Sequence, residues 1–415
     1  MDKSLSKKLL LGIQHVFAMF GATVLVPAIT GLNPSIALFS AGCGTLIFHA
    51  VTKRKVPVFL GSSFAFMGAI ATVYSQQGIA AVKGGLICAG LVYCLFALLI
   101  KCIGYEKVNR LLPPIVTGPM IIVIGLRLSG TAISQALYRT TDTGSVFEPK
   151  YALIAAVVVA IIIVITVFAK GFLNLMPILI AIIVGYLLCI PFGLVDLTPV
   201  KEAHFFSFLD PDIMKEFLAV PEFNASAILA IAPISIVTLI EHVGDITTNG
   251  AVVGQNFFKD PGVHRTLIGD GLATSFAGLI GGPANTTYGE NTGVLAVTKN
   301  YDPATIRIAA VIAILLGLFG KFGGLITGIP DPVKGAISIV LFGMISSVGV
   351  KILVSNQVDF SDSRNLMIAS LIFVLGIGIT NDIPITATVS ISGQAIAAFL
   401  GIIVALILPE KKAEA

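Results

Sequence analysis

The sequence predicts an all-α polytopic membrane protein. Hydrophobic residues make up 56% of the 415-residue chain, and charged residues make up only 12%. Soluble domains usually carry about 25% charged residues, so this chain has too few to cover a surface that faces water. Soluble chains beyond about 250–300 residues also tend to divide into domains, and no polar linker divides this one. Both observations indicate helices that face lipid.

About fourteen stretches are candidates for spanning helices, because about 20 mostly apolar residues cross a bilayer. In the first half they are Leu9–Thr30, Ser35–Val51, Val56–Tyr74, Ile79–Ile100, Pro114–Leu137, Tyr151–Phe168 and Phe172–Leu194. After a polar interval, the second half contains Ala225–Thr247, Leu267–Ile280, Asn285–Thr298, Thr305–Leu325, Pro332–Leu353, Leu366–Thr380 and Ile383–Leu408.

The positions of lysine and arginine predict the orientation. With both termini in the cytoplasm, the inner loops and tails hold about 18 of these residues, and the outer loops, to which Lys83 is assigned, hold about 7. The positive-inside rule expects this bias in a multi-pass protein of the plasma membrane. The interval Asp196–Asn224 then becomes an external loop between two halves of seven spans.

Two halves with an odd number of spans must be inverted if they are repeats, as in many secondary transporters. Ile13-Gln14-His15-Val16 in the first span resembles Ile240-Glu241-His242-Val243 in the eighth, and Pro114–Gly118 resembles Pro332–Gly335. The third and tenth spans are both short and interrupted by glycine or polar residues. Such segments at matching positions of two halves point to the binding site of a transporter, with a purely structural re-entrant loop as the alternative.

Acidic residues inside apolar spans indicate binding or transport, because inserting one at mid-depth costs about 2.5–3.5 kcal/mol. Glu241 ends an apolar stretch, and Asp245 lies four residues later on the same helix face. We interpret Glu241 as a residue that exchanges a proton. A structural ion pair with Arg127 and an ion held between Glu241 and Asp245 are the alternatives. Asp270 in the ninth span is a second proton-handling candidate or a structurally paired acid.

The broken tenth segment contains Tyr288, Gly289, Glu290 and Asn291. A carboxyl group accepts from a ring N–H, free backbone N–H groups donate to ring carbonyls, and an aromatic ring stacks. These residues therefore predict a site for a planar heterocycle with alternating N–H and C=O groups along its edge.

Other chemistries find less support in the sequence. His15 and His242 are predicted as supporting polar residues, with ordinary helix packing as the alternative. The five cysteines match no metal site or disulfide framework, and no basic cluster suits nucleic acid, so we predict no metal, no cofactor and no nucleic-acid partner. An ion channel would need a repeated ring of pore-lining residues. A membrane enzyme would need a nucleophile–base or metal constellation, and none is found.

Several motifs resemble those of the nucleobase–ascorbate transporter family, also called nucleobase–cation symporters. The run from Glu290-Asn291-Thr292-Gly293 to Thr298-Lys299 resembles the family motif in the tenth span. Gln14-His15, Gly61-Ser62-Ser63-Phe64 and Lys259-Asp260-Pro261-Gly262 resemble it elsewhere, so the similarity runs over the whole chain. Within the family, Asn285 to Asn291 and Glu241-His242 are most similar to bacterial uracil permeases.

The resemblance implies a fold of two inverted seven-span repeats, with short strands in spans 3 and 10. A core domain would comprise residues 1–104 and 225–328, and a gate domain residues 105–199 and 329–415, the latter ending in a cytoplasmic tail. Residues 200–224 would form the external loop. Homodimers through the gate domain are also implied.

The resemblance further implies a proton symporter that imports uracil by alternating access. Glu241 and Glu290 would hydrogen-bond the base, Phe64 and Gly289 would supply backbone contacts, and Tyr288 and Ala22 would line the site. Glu241, Asp245 and Asp270 would take part in proton coupling. Coupling to sodium stays open, because carboxylates serve either ion.

One residue departs from the uracil permease pattern. Uracil permeases commonly carry histidine where Asp245 stands, and Asp245 together with Asp270 is more similar to the purine-transporting branch. A xanthine or urate symporter of the same family is therefore the main alternative, and an ion channel is the alternative from another class.

Overall fold

A computed structural model describes residues 3–105, 113–141, 144–380, 383–384 and 390–409. These residues are mainly helical. The helices of the first half are α1 Lys3–Thr30, α2 Pro34–Val51, α3 Met67–Ile103, α4 Pro114–Leu137, α5 Pro149–Phe168 and α6 Pro177–Cys189. Those of the second half are α7 Thr198–Glu202, α8 Pro211–Leu218, α9 Ala225–Ile231, α10 Ile234–Val253, α11 Val263–Ile280, α12 Gly289–Thr298, α13 Pro303–Leu318, α14 Gly320–Thr327, α15 Asp331–Ser355, α16 Ser363–Gly378 and α17 Gly393–Ile407.

Within the described ranges, six short strands form three antiparallel pairs. They are β1 Leu60–Ser62, β2 Tyr138–Thr141, β3 Gly144–Phe147, β4 Asn285–Thr287, β5 Ile383–Pro384 and β6 Ser390–Ile391. β1 pairs with β4 across more than 220 positions of sequence, in the register Leu60↔Thr287 to Ser62↔Asn285. The strands implied for the third and tenth spans are therefore present, and they meet.

Helix starts follow the local sequence. Asn33 precedes α2 and accepts hydrogen bonds from the backbone N–H groups of Ser35 and Ile36, which the first turn of a helix leaves unpaired. Asp302 does the same for Ala304 before α13. Proline occupies the first turn in both helices, where its missing N–H costs nothing.

The helices are long and apolar enough for a multi-pass membrane protein. In the described residues, seven reach at least 18 residues with strongly apolar composition, and four apolar helices are shorter: Pro177–Cys189, Pro303–Leu318, Ser363–Gly378 and Gly393–Ile407. Pro114–Leu137 has the bounds that the sequence predicted. The predicted cytoplasmic tail from residue 410, and residues 385–389 of the last predicted span, lie outside the described residues.

Several predicted spans are broken. The third contains β1 and continues into the first turns of α3, which also contains the fourth and is interrupted at Gly78 (φ 79°, ψ −177°), a conformation that glycine adopts without strain. The eighth divides into α9 and α10 at Ala232-Pro233, and the eleventh into α13 and α14 at Phe319. Each break is a place where the helical hydrogen-bond ladder stops within an apolar stretch.

Glycines let helices from the two halves approach closely. A Cβ atom on Gly125 of α4 would lie 2.2 Å from Ser346 Oγ and 2.3 Å from Phe342 O of α15. One on Gly90 of α3 would lie 2.1 Å from Ser275 Oγ of α11. Small residues at such crossings are typical of helix packing in membranes. The fifth predicted span thus packs on the twelfth, and the fourth on the ninth.

The loop predicted between the halves is ordered and lies against the helices. It contains α7, α8 and the turn Ser207–Leu209. The prediction that Lys83 lies in an outer loop is wrong, because it lies within α3 and is fully buried. Its Nζ donates to the carbonyl oxygens of Phe217 (3.0 Å) and Ala219 (2.8 Å) at the end of α8. A buried ammonium needs such partners, and the loop supplies them.

Candidate functional site

The polar residues predicted from the sequence gather around the β1–β4 crossing. The ribbon extends beyond the two strands, because Tyr288 N donates to Phe59 O (3.0 Å) and Ser63 N donates to Ala284 O (2.8 Å). Side chains of neighbouring helices satisfy its outer groups: Leu60 N donates to Thr45 Oγ1 (2.9 Å), and Thr274 Oγ1 donates to Asn285 O (2.8 Å). Non-helical backbone survives inside a membrane protein only where it is satisfied in this way or lines a cavity.

Tyr288 is held by the crossing rather than free to stack. Its hydroxyl donates to Ser62 O at 2.9 Å and accepts from Thr23 Oγ1 at 3.3 Å. A Cβ atom on Gly61 would lie 2.5 Å from the Tyr288 ring, so glycine is required at that position. The ring is 4% exposed. Tyr288 therefore joins β1, β4 and α1 in one fixed unit.

Glu241 and Glu290 differ from the other acids of this region. Both are exposed, although their neighbours His242 and Asn291 are fully buried. In the described part of the chain, neither carboxyl group makes a hydrogen bond or salt bridge to another residue's side chain. The charge of Glu290 acts on Glu241, so the two groups are close. Two neighbouring carboxyl groups that face open space inside the protein can receive a ligand.

The open space has a direction. Along α10 the exposed residues after Glu241 are Gly244, Thr247, Thr248 and Ala251, which lie on one side of the helix. Along α12, Gly289, Glu290 and Val297 are exposed. Before Glu241, by contrast, Val237, Thr238 and Leu239 are buried. The space therefore opens toward the C-terminal ends of α10 and α12 and is closed toward the start of α10.

Asp245 is joined to the crossing. Its Oδ2 accepts from Thr287 Oγ1 at 2.8 Å, and a Cβ atom on Gly289 would lie 3.6 Å from its Oδ1. The charges of Glu241, Glu290 and Asp270 all act on it. Asp245 thus links α10 to β4 and lies within reach of the two exposed acids.

Asp270 and His242 form a buried pair. His242 Nδ1 lies 2.9 Å from Asp270 Oδ2, and both side chains are fully buried. His242 Nε2 lies 3.0 Å from Thr266 Oγ1, which is also 2.9 Å from Val263 O. Both ring nitrogens of His242 thus have a polar partner. The pair lies directly behind Glu241.

His15 and Asn291 form the matching pair in α1 and α12. Asn291 Nδ2 lies 3.1 Å from His15 Nδ1 and donates to His15 O at 3.0 Å. Both residues are fully buried, and Asn291 Oδ1 and His15 Nε2 have no hydrogen-bond partner in the described residues. The two residues fix the start of α12 against α1, a supporting position of the kind that the sequence predicted.

Two predicted site residues lie behind the open face. Ala22 is 2% exposed and packs in the same apolar cluster as Tyr288, and Phe64 is half-buried at its edge. Arg127 donates to the carbonyl oxygens of Gly376 (3.0 Å) and Ile379 (2.6 Å). No ion pair joins Arg127 to Glu241 in the part of the chain that the structure describes, which removes the ion-pair interpretation of Glu241.

Sequence reasoning missed the hydroxyl groups that hold these acids and rings. Thr287 hydrogen-bonds Asp245, Thr266 hydrogen-bonds His242, and Thr23 hydrogen-bonds Tyr288. One sequence feature could have identified Thr287, since it belongs to the polar run before Tyr288. Thr266 and Thr23 had none, because they come from other helices. No group of three His, Cys, Asp or Glu side chains in the described ranges is arranged to hold a metal ion.

Comparison with known proteins gives the family. A profile described as "Permease family" matches residues 6–385. A uracil permease of Bacillus caldolyticus is 46% identical over 96% of this chain and 91% of its own length. The uracil permease of Bacillus subtilis (strain 168) is 44% identical (97% and 92%), and that of Escherichia coli K12 is 38% identical (96% and 90%).

Solved structures show the fold. The transmembrane domain of the cyanobacterial bicarbonate transporter BicA has a TM-score of 0.65 at 15% identity, covering 96% of this chain and 98% of that one. Murine Slc26a9, an anion transporter in the inward-facing state, has a TM-score of 0.70 at 9% identity, covering 98% of this chain and 68% of that one. At such low identity only the fold is shared.

The chain therefore belongs to the nucleobase–ascorbate transporter family of permeases. It is a multi-pass membrane protein and a transport protein, not an enzyme. The resemblance that the sequence motifs indicated is confirmed.

Proposed function

We propose, from this family membership, that the protein imports uracil by proton symport, with alternating access around the β1–β4 crossing. The observation that carries the proposal is the pair of exposed carboxyl groups, Glu241 and Glu290, which have no side-chain partners among the described residues. The relatives at 38–46% identity that are named uracil permeases support uracil as the cargo.

The chemistry of the two acids suits a pyrimidine ring. Uracil presents ring N–H donors, and a carboxyl group of Glu241 or Glu290 accepts them. The ring carbonyls accept from backbone N–H groups at the starts of half-helices, at Gly289 and near Phe64. Eight heavy atoms at a ceiling of about −1.5 kcal/mol each allow about −12 kcal/mol, so few contacts are enough for micromolar binding.

Glu241 is the proposed proton carrier. Its carboxyl is exposed, and its helix α10 also bears Asp245 and His242, which contacts Asp270 of α11. A proton on Glu241 lowers its repulsion with Glu290 and Asp245, so protonation and binding of an uncharged base favour each other. Asp245 and Asp270 serve as neighbours that set when the proton is released.

The proposed architecture has fourteen spans in two inverted repeats of seven, with the core and gate domains divided as the sequence suggests. The pairing of α4 with α15 and of α3 with α11, both through glycine, supports a pseudo-symmetric arrangement. With both termini in the cytoplasm, the space at Glu241 opens inward. Homodimers through the gate domain complete the proposal.

A purine cargo, xanthine or urate, is the second candidate. Asp245 favours it, because uracil permeases commonly have histidine there. Asp245 reaches Thr287 on the crossing itself, so the change alters the wall of the site. Coupling to sodium instead of protons is also open to test.

Uptake of labelled uracil into proteoliposomes tests the function. We expect uptake at micromolar uracil that rises with an inward proton gradient and stops with a protonophore. Excess unlabelled xanthine should leave it unchanged. Uptake that ignores the protonophore but needs sodium would replace the symport proposal, and inhibition by xanthine together with xanthine uptake would replace the cargo.

A further inference from the structure

The segment 196–224, which the proposed topology places outside the cell and which is here called the outer segment, has two apolar faces. Its inner face packs on the protein: Ser207 Oγ donates to Gly317 O (2.7 Å), and Phe208 lies against Phe39 and Phe217 at ring separations of 5.3 and 4.9 Å. Its outer face carries seven large exposed side chains. They are Leu197 (46% exposed), Phe205 (61%), Phe206 (56%), Leu209 (67%), Leu218 (67%), Val220 (81%) and Phe223 (60%).

This exposure is not the result of a loose loop. Lys83 bonds the end of α8, Glu222 N donates to Ala80 O (2.8 Å), and Lys321 Nζ donates to Val200 O (2.9 Å) and Lys201 O (3.0 Å). The segment is therefore fixed to α3 at one end and to α14 at the other. The side chains of the inner face pack on the helices, so the side chains of the outer face point away from the protein.

The outer face continues the lipid-facing surface of the spans. On α6 the exposed residues Ile183, Leu187 and Ile190 lead directly along the chain to Leu197. On the other side, the Phe205 ring makes an edge-to-face contact with Phe319 at 5.0 Å between ring centres, and Leu325 of α14 is exposed. A segment immersed in water would place polar residues on this face, and a patch of this size marks an interaction surface.

Three acids of the segment are used in local hydrogen bonds. Asp210 caps α8 by accepting from Asp212 N and Ile213 N, and Asp196 accepts from Thr198 N. Glu216 accepts from the Tyr74 hydroxyl at 3.0 Å. The segment holds six acids against two lysines, so electrostatic attraction to anionic lipid does not bring it to the membrane.

We propose that the outer segment lies in the outer lipid–water interface, with its seven apolar side chains inserted among zwitterionic headgroups and the first acyl carbons. Interfacial segments bury phenylalanine and leucine about 5–10 Å deep in this manner. The exposed side chains are spread from α14 to α3 around the core, whereas a second copy of the chain would cover one compact patch. The proposal does not depend on the cargo.

Tryptophan fluorescence tests it directly, because the chain contains no tryptophan. Phe206→Trp and Phe223→Trp, one at each end of the segment, are reconstituted separately in phosphatidylcholine vesicles. Lys259→Trp, at an exposed polar turn, is the water control, and Leu95→Trp, exposed on the apolar α3, is the deep-lipid control. Each is quenched with iodide and with lipids brominated near the headgroup or near the chain end.

We expect loss of emission from both segment variants with bromine near the headgroup, less with bromine near the chain end, and weak quenching by iodide. Added phosphatidylglycerol should not strengthen the effect. Iodide quenching equal to that of Lys259→Trp, without quenching by brominated lipid, would overturn the proposal. Shielding from both quenchers that disappears when protein is diluted in lipid would assign the face to a second copy and overturn it equally.

Discussion

The two exposed acids and Lys83 are charged groups in the same apolar chain, but they differ in exposure and in hydrogen bonding. Glu241 and Glu290 are exposed and have no side-chain partners in the part of the chain that the structure describes, whereas Lys83 is fully buried and bonds two carbonyl oxygens. All three positions cost free energy in a bilayer. The difference teaches that a satisfied charge joins parts of the fold, and an unsatisfied, accessible one is kept for a ligand. Substitutions should therefore separate transport from stability.

Glu241→Gln should have the largest effect on transport. It replaces one acceptor oxygen by a donor amide and removes the proposed proton site, so initial uracil uptake should fall about 100-fold, and its dependence on external pH should vanish. The melting temperature should not fall, because no side-chain partner is lost. Glu222→Gln, an exposed acid of the outer segment, is the matched control. Uptake that keeps its pH dependence would remove Glu241 from proton coupling.

Glu290→Gln should lower uracil uptake about 30-fold, since an acceptor facing the base becomes partly a donor. The variant should keep its pH dependence if Glu241 alone carries the proton. Competition by xanthine against labelled uracil gives the second readout. Unchanged uptake would place Glu290 outside the site.

Gly61→Ala should reduce uptake about tenfold and stability by about 1–3 kcal/mol, because the new methyl group would meet the Tyr288 ring at 2.5 Å. Uptake and thermal unfolding in detergent measure the two effects. Gly130→Ala on α4, with nothing within 4 Å, is the control and should change neither. If Gly61→Ala changed neither uptake nor stability, the crossing would tolerate displacement of Tyr288.

Lys83→Met should have the opposite effect to the substitutions of the two acids, because it should lower stability more than uptake. Two buried carbonyls lose their donor, so unfolding should become about 1–3 kcal/mol easier, while uptake changes less than about threefold. Lys215→Met, at an exposed lysine of the outer segment, serves as control. A large loss of uptake with unchanged stability would contradict the distinction between satisfied charges, which join parts of the fold, and accessible charges, which bind a ligand.

The smallest effect concerns Glu216. Burial raises the pKa of Glu216 and the charge of Asp212 adds to this, against the hydrogen bond from Tyr74. An acid whose pKa is raised in the folded state favours folding fully below its unfolded value of about 4.3, and loses that contribution as pH rises through the folded value. Relative to Glu216→Gln, the parent should therefore lose about 1–2 °C of melting temperature between pH 4 and pH 7. Parallel melting curves would contradict this.

Local sequence patterns predicted the parts of the fold that depend on local physics. Apolar length and the opening proline gave Pro114–Leu137 without error, and glycine and polar residues marked both crossing segments. Four-residue spacing placed Glu241 and Asp245 on one face. The family resemblance, not periodicity, supplied the strands.

Partners that come from distant segments could not be predicted. His242 meets Asp270 28 positions later, and Lys83 meets Phe217 134 positions later, and no local pattern links either pair. Arg127 was a reasonable partner for Glu241 by charge alone, yet carbonyls at the end of α16 hold it. Tertiary packing decides which charges are satisfied, and one sequence does not display that packing.

The hydrogen bonds from Lys83 to the end of α8 also determine when the fourth span can complete its folding during synthesis. A ribosome adding about 5–20 residues per second produces Phe217 about 7–27 seconds after Lys83. Throughout that interval the fourth span has its ammonium but not the loop carbonyls that will satisfy it. We expect the nascent hairpin to wait at the edge of the bilayer, and to settle fully only when the outer segment emerges.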